Sequence, residues 1–382
     1  MSGVAIVGVG LSPFGRSSMS GLQQGAVAVR AALEDAGLQW TDIQCAYGGS
    51  QDAGNADALA NLLGHTGIHF TNIWNGCATG GSAISAAANA IRAGEADIAL
   101  AVGFDKHPRG AFAAKPSDWG IGDWYGESGL MLTTQFFGMK INRYLHDHAL
   151  DPSILAQVSR KAYANGAITP HAWRQQTFTE ADINQSDMLS YPLRKLMFCS
   201  PAEGGAAIIL CRSSLAKDFH STPITLRASV VRGREFGSFE VFSPSLPTAR
   251  GRSATEIASV AAFEQAGVGP GDIDVAQLQD TEAGAEIIHL AENGFCEHGE
   301  QGEWLKQGHT EIGGKLPVNT DGGCIANGEP VGASGLRQVI EVCWQLRGQG
   351  GRRQVPCQPR LGYTQVYGAP GISGVNILER AR

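Results

Sequence analysis

The chain has 382 residues, 43% of them hydrophobic and 17% charged, which is enough for a large core and for two or three domains. Its formal net charge is −7 and it has no run of Lys or Arg, so we expect neither nucleic acid nor a membrane surface as a partner. The eight cysteines are scattered without a CxxC pair, which indicates reduced thiols and no metal site. The N-terminal residues predict a strand rather than a signal peptide, so a cytoplasmic protein is expected.

Short apolar segments alternate with helical patterns in the first hundred residues. Strands are predicted at residues 4–8, 43–47 and 97–103, and helices at residues 21–36 and 57–63. The last of these strands is apolar throughout, as is typical of a strand buried on both faces of a sheet. This β-α-β-α-β alternation predicts an α/β fold with a mostly parallel sheet and helices on both faces.

One cysteine lies in a glycine-rich turn between a predicted strand and a predicted helix. Cys77 follows Gly76, after an apolar run over residues 68–74 and before a small-residue run over residues 83–91. A helix N-terminus carries free N–H groups and the positive end of the helix dipole, which favour a thiolate. The turn therefore predicts a nucleophile. A small cysteine buried beside packing glycines is the alternative, since free cysteine is often buried.

The regular alternation stops at residue 104 and resumes near residue 196. The interval is rich in Pro, Trp and polar residues, with helical patterns at 131–146 and 153–165. A long excursion inside an α/β domain typically covers an active site, although an insertion without that role has the same pattern. We predict an N-terminal half over 1–103 plus 196–222, a cap or loop insertion over 104–195, and a C-terminal half over 223–382.

An internal repeat links the two predicted halves. Residues 32–44 match residues 262–274, with Ala, Glu, Ala-Gly and Asp-Ile recurring in the same places. The Asn-Gly-Cys turn that ends at Cys77 likewise matches the Asn-Gly-Glu turn that ends at Glu329, and a helix is predicted after each. The chain is thus predicted to hold two copies of one β-α-β-α-β fold. If the copies pack around a pseudo-twofold axis, Cys77 and Glu329 meet in one cleft.

The order of several motifs resembles the thiolase superfamily, and most of all its sterol-carrier-protein (lipid-transfer) branch. The motifs are Gly-His-Thr-Gly-Ile from residue 64, Asn-Gly-Cys-Ala-Thr-Gly from 75, Ala-Val-Gly-Phe-Asp-Lys from 101, Gly-Phe-Cys-Glu-His-Gly-Glu from 294, Leu-Pro-Val-Asn-Thr-Asp-Gly-Gly from 316 and Gly-Glu-Pro-Val-Gly-Ala-Ser-Gly from 328. The resemblance implies a duplicated thiolase fold with five layers, α-β-α-β-α. It also implies that Cys77 accepts an acyl group from a coenzyme A thioester, with coenzyme A as a (co)substrate and no bound cofactor.

Two catalytic groups of the family are missing from the places where the resemblance puts them. Glu329 stands where the family has the histidine of its Gly-His-Pro motif, which activates the nucleophile. Tyr367 and Gly368 stand where the family has its C-terminal acid/base Cys or His. A carboxylate repels a facing thiolate by about 4 kcal/mol at about 4 Å and an effective dielectric constant of about 20. Glu329 is therefore expected either to share a proton with Cys77 or to act on the substrate carbon, unless it points away or binds a cation.

The segment Gln-Asp-Thr-Glu at residues 279–282 aligns with the motif that positions the oxyanion water in the family. Gln279 is the candidate for holding that water, together with Gly368. Asp280 is the favoured substitute for the missing histidine, with Glu282 as the other candidate, and either acid is equally consistent with a solvated strand end. Tyr367 is a candidate phenolic acid or hydrogen-bond donor, or else a packing tyrosine.

The favoured function is acyl transfer through Cys77: cleavage or formation of a C–C bond in a bulky β-keto acyl-CoA. One alternative is a retro-aldolase acting on a steroid or aromatic hydroxyacyl-CoA, in which Tyr367, Glu329 and Asp280 move protons and Cys77 is a bystander. A second alternative is a non-catalytic acyl-CoA or lipid carrier, or a scaffold subunit. The resemblance further implies a homodimer and, as for some proteins of this branch, a hetero-complex with a small OB-fold, zinc-ribbon subunit.

Overall fold

The computed structural model describes residues 3–238, 240 and 251–381. In this part of the chain the strands are β1 Val4–Leu11, β2 Cys45–Gly49, β3 His69–Asn72, β4 Ile98–Lys106, β5 Met188–Ser190, β6 Leu193–Arg194, β7 Glu203–Arg212, β8 Ile224–Gly233, β9 Val275–Leu278, β10 Leu361–Gly368 and β11 Ile372–Arg380. The helices are α1 Gly21–Ala36, α2 Ala60–Leu63, α3 Thr79–Ala93, α4 Asp123–Glu127, α5 Thr133–Asp147, α6 Ile154–Ala167, α7 Glu180–Gln185, α8 Ala216–Phe219, α9 Ala254–Ala266, α10 Ala283–Glu292, α11 Gln301–Lys306, α12 Gly323–Asn327 and α13 Ser334–Arg347.

The main sheet is mixed, with the strand order β3-β2-β4-β7-β1-β8-β11-β10-β9. Among the described strands, β3–β2, β2–β4 and β10–β9 are parallel neighbours, and the other neighbours in this sheet are antiparallel. The expectation of a mostly parallel sheet was therefore wrong. The long insertion leaves β4 at Lys106 and returns directly opposite it at Glu203, so β7 enters the sheet antiparallel to its neighbours.

The two halves meet at β1 and β8, which share only two residue pairs, Ala5 with Thr225 and Ile6 with Ile224. Helices α3 and α13 pack on each other and against strands of both halves, α1 covers β1 and β7, and α9 covers β8 and β11. This order gives the layers α-β-α-β-α, so the expected duplicated fold is confirmed. The central helices α3 and α13 can approach closely because Gly80 has no side chain. A Cβ at this position would lie only 2.7 Å from the Leu336 nitrogen.

The sequence repeat is visible in the ends of the two outer helices. Ser20 begins α1 and Ser253 begins α9, and each forms a capping box with the helix residue three positions later. Gly37 and Gly267 end these helices, and both have a φ of 66°, which glycine adopts without strain. Matching start and stop signals therefore produce matching helices in the two halves.

The residues between β4 and β7 hold α4 to α7 and the β5–β6 hairpin. Here α5 and α6 contact α10, and α6 also contacts α12, so the insertion packs on the C-terminal half. The division of the chain into two halves and a cap stays a prediction. No helix in the described ranges is long and apolar enough to cross a membrane.

Candidate active site

Cys77 occupies a tight turn that leads into α3. Gly76 has a φ of 56°, a conformation that favours glycine. The Thr79 hydroxyl bridges the turn, because it donates to the Gly76 carbonyl at 2.6 Å and accepts from the Asn75 N–H at 2.9 Å. Asn75 Nδ2 also donates to Ser82 Oγ at 2.8 Å. These bonds hold the partly exposed Cys77 side chain at the N-terminal end of a long helix.

The Cys77 turn forms part of the wall of a cavity of about 550 Å³. The wall combines the strand–turn–helix corner at Cys77 (the first corner), the insertion, and the C-terminal hairpin of β10 and β11. Its aromatic residues are Trp74, Phe112, Trp119, Phe137, Phe198 and Tyr367. The cavity therefore offers a large, mainly apolar space beside a thiol.

The pKa of the Cys77 thiol is raised, contrary to the expectation from its position at a helix N-terminus. Enclosure of the sulfur by surrounding protein is the largest cause, and the carboxylate of Glu329 is the next. Desolvation and a nearby like charge both favour the protonated thiol, and here they outweigh the helix dipole. The protonated thiol is therefore the favoured form of Cys77 in this site.

Glu329 lies at the equivalent corner of the second half and is fully buried. Its Oε1 atom accepts hydrogen bonds from Gln279 Nε2 at 3.1 Å and from Ser334 Oγ at 2.8 Å. Its backbone N–H donates to the Ser200 carbonyl at 2.9 Å. Its Oε2 atom has no hydrogen-bond partner among the described residues. The charge of Glu329 raises the pKa of the Cys77 thiol, so the two side chains lie within electrostatic range of each other, although Glu329 is not part of the described cavity wall.

The side chains at the two ends of the segment 279–282 form hydrogen bonds with groups outside the cavity wall. Gln279 is completely buried, and besides its bond to Glu329 its Oε1 atom accepts from Gln338 Nε2 at 3.4 Å. Glu282 caps α10 by accepting a hydrogen bond from the Gly284 N–H, and burial raises the pKa of Glu282 to about 8. Neither side chain belongs to the described cavity wall. Gln279 is thus aimed at the Glu329 carboxylate and not at the cavity.

Asp280 faces the protein backbone. Its carboxylate accepts hydrogen bonds from the N–H groups of Cys324 at 2.6 Å and Ile325 at 3.4 Å, at the start of α12. Burial raises the pKa of Asp280, and the nearby Glu286 carboxylate adds to the effect. Asp280 does not belong to the described cavity wall, so the structure does not bring it beside Cys77.

The C-terminal hairpin places Tyr367 on the cavity wall and Gly368 against the first corner. The Tyr367 hydroxyl donates to Glu240 Oε2 at 2.7 Å, and Lys140 Nζ lies 3.7 Å from the same oxygen. A Cβ on Gly368 would lie 2.3 Å from the Asn75 carbonyl oxygen, so only glycine fits there without a shift. Both residues therefore border the Cys77 turn or its cavity.

The sequence analysis missed four polar groups that complete this region: Lys140, Cys199, Glu240 and Ser334. Lys140, Cys199 and Glu240 belong to no motif that was recognised. A signal was available for Ser334, because it lies in the small-residue turn that matches the turn after Cys77.

A second cluster of potential ligands lies away from the cavity wall. His171, Asp321 and Glu341 have ligand atoms within 4.8 Å of one another. Asp321 pairs with the buried Arg337, and Glu341 pairs with Arg353 at 2.8 Å. Each carboxylate therefore already has a cationic partner, and the cluster is charge-balanced without a metal ion.

The comparisons with known proteins agree with this architecture. The family model "Thiolase, N-terminal domain" matches residues 4–183, and "Thiolase C-terminal domain-like" matches residues 246–380. The acetyl-CoA acetyltransferase of Methanothermobacter thermautotrophicus is 32% identical over 395 residues, with 100% of both chains covered. Sterol carrier protein 2 of Gallus gallus is 30% identical over 371 residues, which cover 92% of this chain and 67% of that protein.

Two further matches extend the comparison. The benzoylsuccinyl-CoA thiolase subunit BbsB of Thauera aromatica is 28% identical, with 96% of this chain and 94% of that protein covered. The solved Ltp2-ChsH2(DUF35) aldolase has a TM-score of 0.89 at 24% identity, covers 100% of this chain and 98% of its own, and shows the shared fold. The chain therefore belongs to the thiolase superfamily, in its sterol carrier protein 2-like branch, and is a thiolase-type acyltransferase.

Proposed function

We propose that this enzyme cleaves or forms a C–C bond in a bulky β-keto acyl-CoA, with the acyl group carried on Cys77. The observation that carries the proposal is the pairing of a thiol on the cavity wall with a buried carboxylate that has one unpaired oxygen. Coenzyme A serves as (co)substrate. A thiol nucleophile attacks a carbonyl carbon directly, so the proposed reaction uses no bound cofactor.

Glu329 is the proposed general base. The Cys77 thiol is protonated at rest because enclosure and the Glu329 charge raise its pKa. As Sγ attacks the β-keto carbon, the unpaired Oε2 atom of Glu329 accepts the thiol proton. Gln279 and Ser334 hold the other oxygen, which fixes the carboxylate in place. A carboxylate can thus take the part that the resemblance assigns to histidine.

The size and lining of the cavity support a bulky acyl group. About 550 Å³ lies within the range of sites that enclose drug-sized ligands. Trp74, Trp119 and Phe137 offer flat apolar faces to a ring-bearing acyl chain. A short straight-chain acyl group would leave much of this surface in contact with water. We therefore propose an aromatic or polycyclic acyl group.

A small partner subunit of the OB-fold, zinc-ribbon type is proposed to dock on the insertion. Large apolar side chains are exposed there: Trp124, Leu132, Met139, Met188, Leu189 and Tyr191. Clustered exposed apolar groups mark interaction surfaces. Leu189 also lines the cavity, so a partner on this surface would border the acyl site. The fold similarity to an aldolase whose name pairs Ltp2 with ChsH2(DUF35) supports the same proposal.

A homodimer is proposed through β3. This strand lies at one end of the sheet order, and His69 and Asn72 are exposed. An unpaired strand edge is a template for pairing with a second chain. Replacing His69 by Lys puts a charge on this exposed strand edge, a device that natural sheets use to prevent pairing, and is expected to halve the mass measured by light scattering. An unchanged dimer mass would contradict this interface.

Retro-aldol cleavage is the second candidate, because one observation favours it. Tyr367 presents a hydroxyl on the cavity wall, and Glu240 accepts its hydrogen bond at 2.7 Å. That pair can move a proton to or from a substrate hydroxyl without any part for Cys77. The fold similarity to the Ltp2 aldolase adds to this candidate.

Intact mass spectrometry separates the two candidates. The enzyme is incubated with acetyl-CoA, acetoacetyl-CoA and 3-oxo-3-phenylpropionyl-CoA in turn. We expect an acyl mass gain located at Cys77, and loss of thiolysis in Cys77→Ala with no loss in Cys357→Ser, the exposed control cysteine. If Cys77→Ala keeps full C–C cleavage, the acyl-enzyme proposal fails and the aldolase takes its place.

A further inference from the structure

A second thiol shares the cavity with Cys77. Cys199 is partly exposed and lines the same wall, where it follows Phe198 between the insertion and β7. Of the eight cysteines, these two belong to the described cavity wall. The cavity therefore presents two thiols to one substrate.

Cys199 is held in place by backbone contacts with the C-terminal half. Its N–H donates to the Thr281 carbonyl at 2.9 Å. The next residue, Ser200, accepts a hydrogen bond from the Glu329 N–H at 2.9 Å through its carbonyl. The Ser200 hydroxyl is fixed in turn by Arg174 Nη2 at 2.5 Å. Cys199 is thus tied to the corner that carries Glu329, and Cys77 approaches from the other half.

The Glu329 carboxylate is independent support for proton transfer beside Cys77 and Cys199. Its Oε2 atom is buried and has no hydrogen-bond partner among the described residues. Its charge raises the pKa of both Cys77 and Cys199, although enclosure by protein is the larger cause for each thiol. The Glu329 carboxylate therefore acts on two thiols of the same cavity.

The proposed reaction needs a second proton-transfer group besides Glu329. C–C cleavage leaves a carbanion on the α-carbon of the departing CoA thioester, and that carbon must gain a proton. Glu329 has by then taken the Cys77 proton. The Tyr367 hydroxyl already donates to Glu240, and Lys195 is mainly exposed and pairs with Asp187 at 3.7 Å.

We propose that Cys199 is this second catalytic residue, which protonates the α-carbon and later deprotonates the incoming coenzyme A thiol. Cys77 gives its proton to Glu329, and its sulfur bonds to the β-keto carbon while the C–C bond breaks. The Cys199 thiol then gives its proton to the carbanion and becomes a thiolate. That thiolate takes the proton of coenzyme A, whose sulfur displaces the acyl group from Cys77, and Glu329 returns its proton to Cys77. The inference rests on the proposed acyl transfer.

The order of these steps follows from the charges. While Glu329 is ionised it opposes a thiolate at Cys199, which stays protonated. Once Glu329 has accepted the Cys77 proton, its negative charge no longer opposes the Cys199 thiolate, although the larger effect of burial remains. The Cys199 thiolate is therefore less disfavoured after Cys77 has attacked than before. Cys199 is thus protonated when the carbanion forms.

Exchange of the α-protons of acetyl-CoA in D₂O tests the inference. Acylation of Cys77 by acetyl-CoA is measured in the same samples by intact mass spectrometry. In Cys199→Ser we expect acylation to persist and deuterium exchange to fall by about a hundredfold or more. Cys357→Ser should behave as wild type in both measurements. Wild-type exchange in Cys199→Ser, or no exchange in a wild-type enzyme that acylates Cys77, would overturn the inference.

A failure of the underlying acyl transfer gives a different result, because Cys77 would then take up no acyl group in any variant. If Cys199→Ser does not fold, as judged by its thermal melt, the wild-type acyl-enzyme is treated with iodoacetamide instead. With Cys77 blocked by the acyl group, alkylation is expected at Cys199, and exchange should be lost. Full exchange after alkylation of Cys199 would refute its role.

Discussion

The corners at Cys77 and Glu329 follow the same strand–turn–helix path but give their side chains opposite surroundings. Cys77 is partly exposed on a cavity wall, whereas Glu329 is fully buried. The turn at Cys77 is closed by local hydrogen bonds, such as that from Thr79 to Gly76. The turn at Glu329 is held by distant residues, including Gln279. Duplication thus supplies two matching corners, and burial distinguishes the corner of the proposed nucleophile from that of the proposed base.

The comparison also shows how strongly burial acts. Cys77 lies at the start of a long helix, where the dipole favours a thiolate by about 0.3–1 kcal/mol at an exposed site. Enclosure of the sulfur and the Glu329 charge nevertheless raise the pKa of Cys77. The effect of the helix N-terminus on Cys77 is therefore reversed mainly by burial, with a smaller addition from a charge in the other half.

Removing the charge at the second corner gives the largest expected effect. With Glu329→Gln, turnover should fall by about 10²–10⁴, because no group then accepts the Cys77 proton. Alkylation of Cys77 by iodoacetamide at pH 8 should rise, by roughly tenfold, because loss of a like charge lowers the thiol pKa. The plot of alkylation rate against pH should shift to lower pH.

These two responses have opposite signs, which distinguishes a base from a merely structural carboxylate. A variant that had lost the fold of the corner would melt at lower temperature and would lose the shift of the alkylation plot to lower pH. Turnover at the wild-type level in Glu329→Gln would assign the base to another group.

Crowding the contact between the first corner and the hairpin gives the next largest effect. In Gly368→Ala the new methyl group meets the Asn75 carbonyl, which must move, and with it the Cys77 turn. We expect thiolysis to fall by roughly ten- to a hundredfold, since small misplacements of a nucleophile are costly. Gly362→Ala is the matched control, because its methyl group would lie 2.2 Å from Val342 Cγ1 in the core. If both variants lose only stability, the Gly368 contact does not position Cys77.

Sequence reasoning succeeded where the signal was local or repeated. The helical spacing of residues 21–36 predicted the limits of α1, and the Asn-Gly turns predicted the equivalent corners. It failed where the partner lies far along the chain. The carboxylate of Asp280 bonds to the backbone at residues 324 and 325, and no pattern near residue 280 indicates this. The segment at Cys199 contacts Glu329 only through tertiary packing. The position of Cys199 on the cavity wall could therefore not be predicted from the local sequence.

Removing one hydrogen bond to the Glu329 carboxylate is expected to lower turnover by a smaller factor. Ser334→Ala removes a 2.8 Å hydrogen bond to Glu329 Oε1, and Gln279 remains to hold that atom. A hydrogen bond to a charged group contributes about 1.5–3 kcal/mol, so turnover should fall by roughly tenfold. Ser159→Ala is the control, since it removes a buried hydroxyl that donates to the Leu155 carbonyl at 3.1 Å. Equal losses of turnover in the two variants would show that Ser334 has no special part in catalysis.

The smallest effect on activity is expected at Asp280, the acid that sequence reasoning favoured as the base. Asp280→Asn retains an oxygen for the Cys324 N–H, so turnover should stay within about threefold, whereas loss of a true base would cost about 10²–10⁴. Its stability should respond to pH instead. Burial raises the pKa of folded Asp280 above the unfolded value of about 3.9, so the folded state binds more protons and stability falls as pH rises through that window. Asparagine has no such proton, so thermal melts of Asp280→Asn between pH 5 and pH 9 should show a smaller decline than wild type. A hundredfold loss of turnover with an unchanged pH dependence of the melts would return Asp280 to the catalytic role.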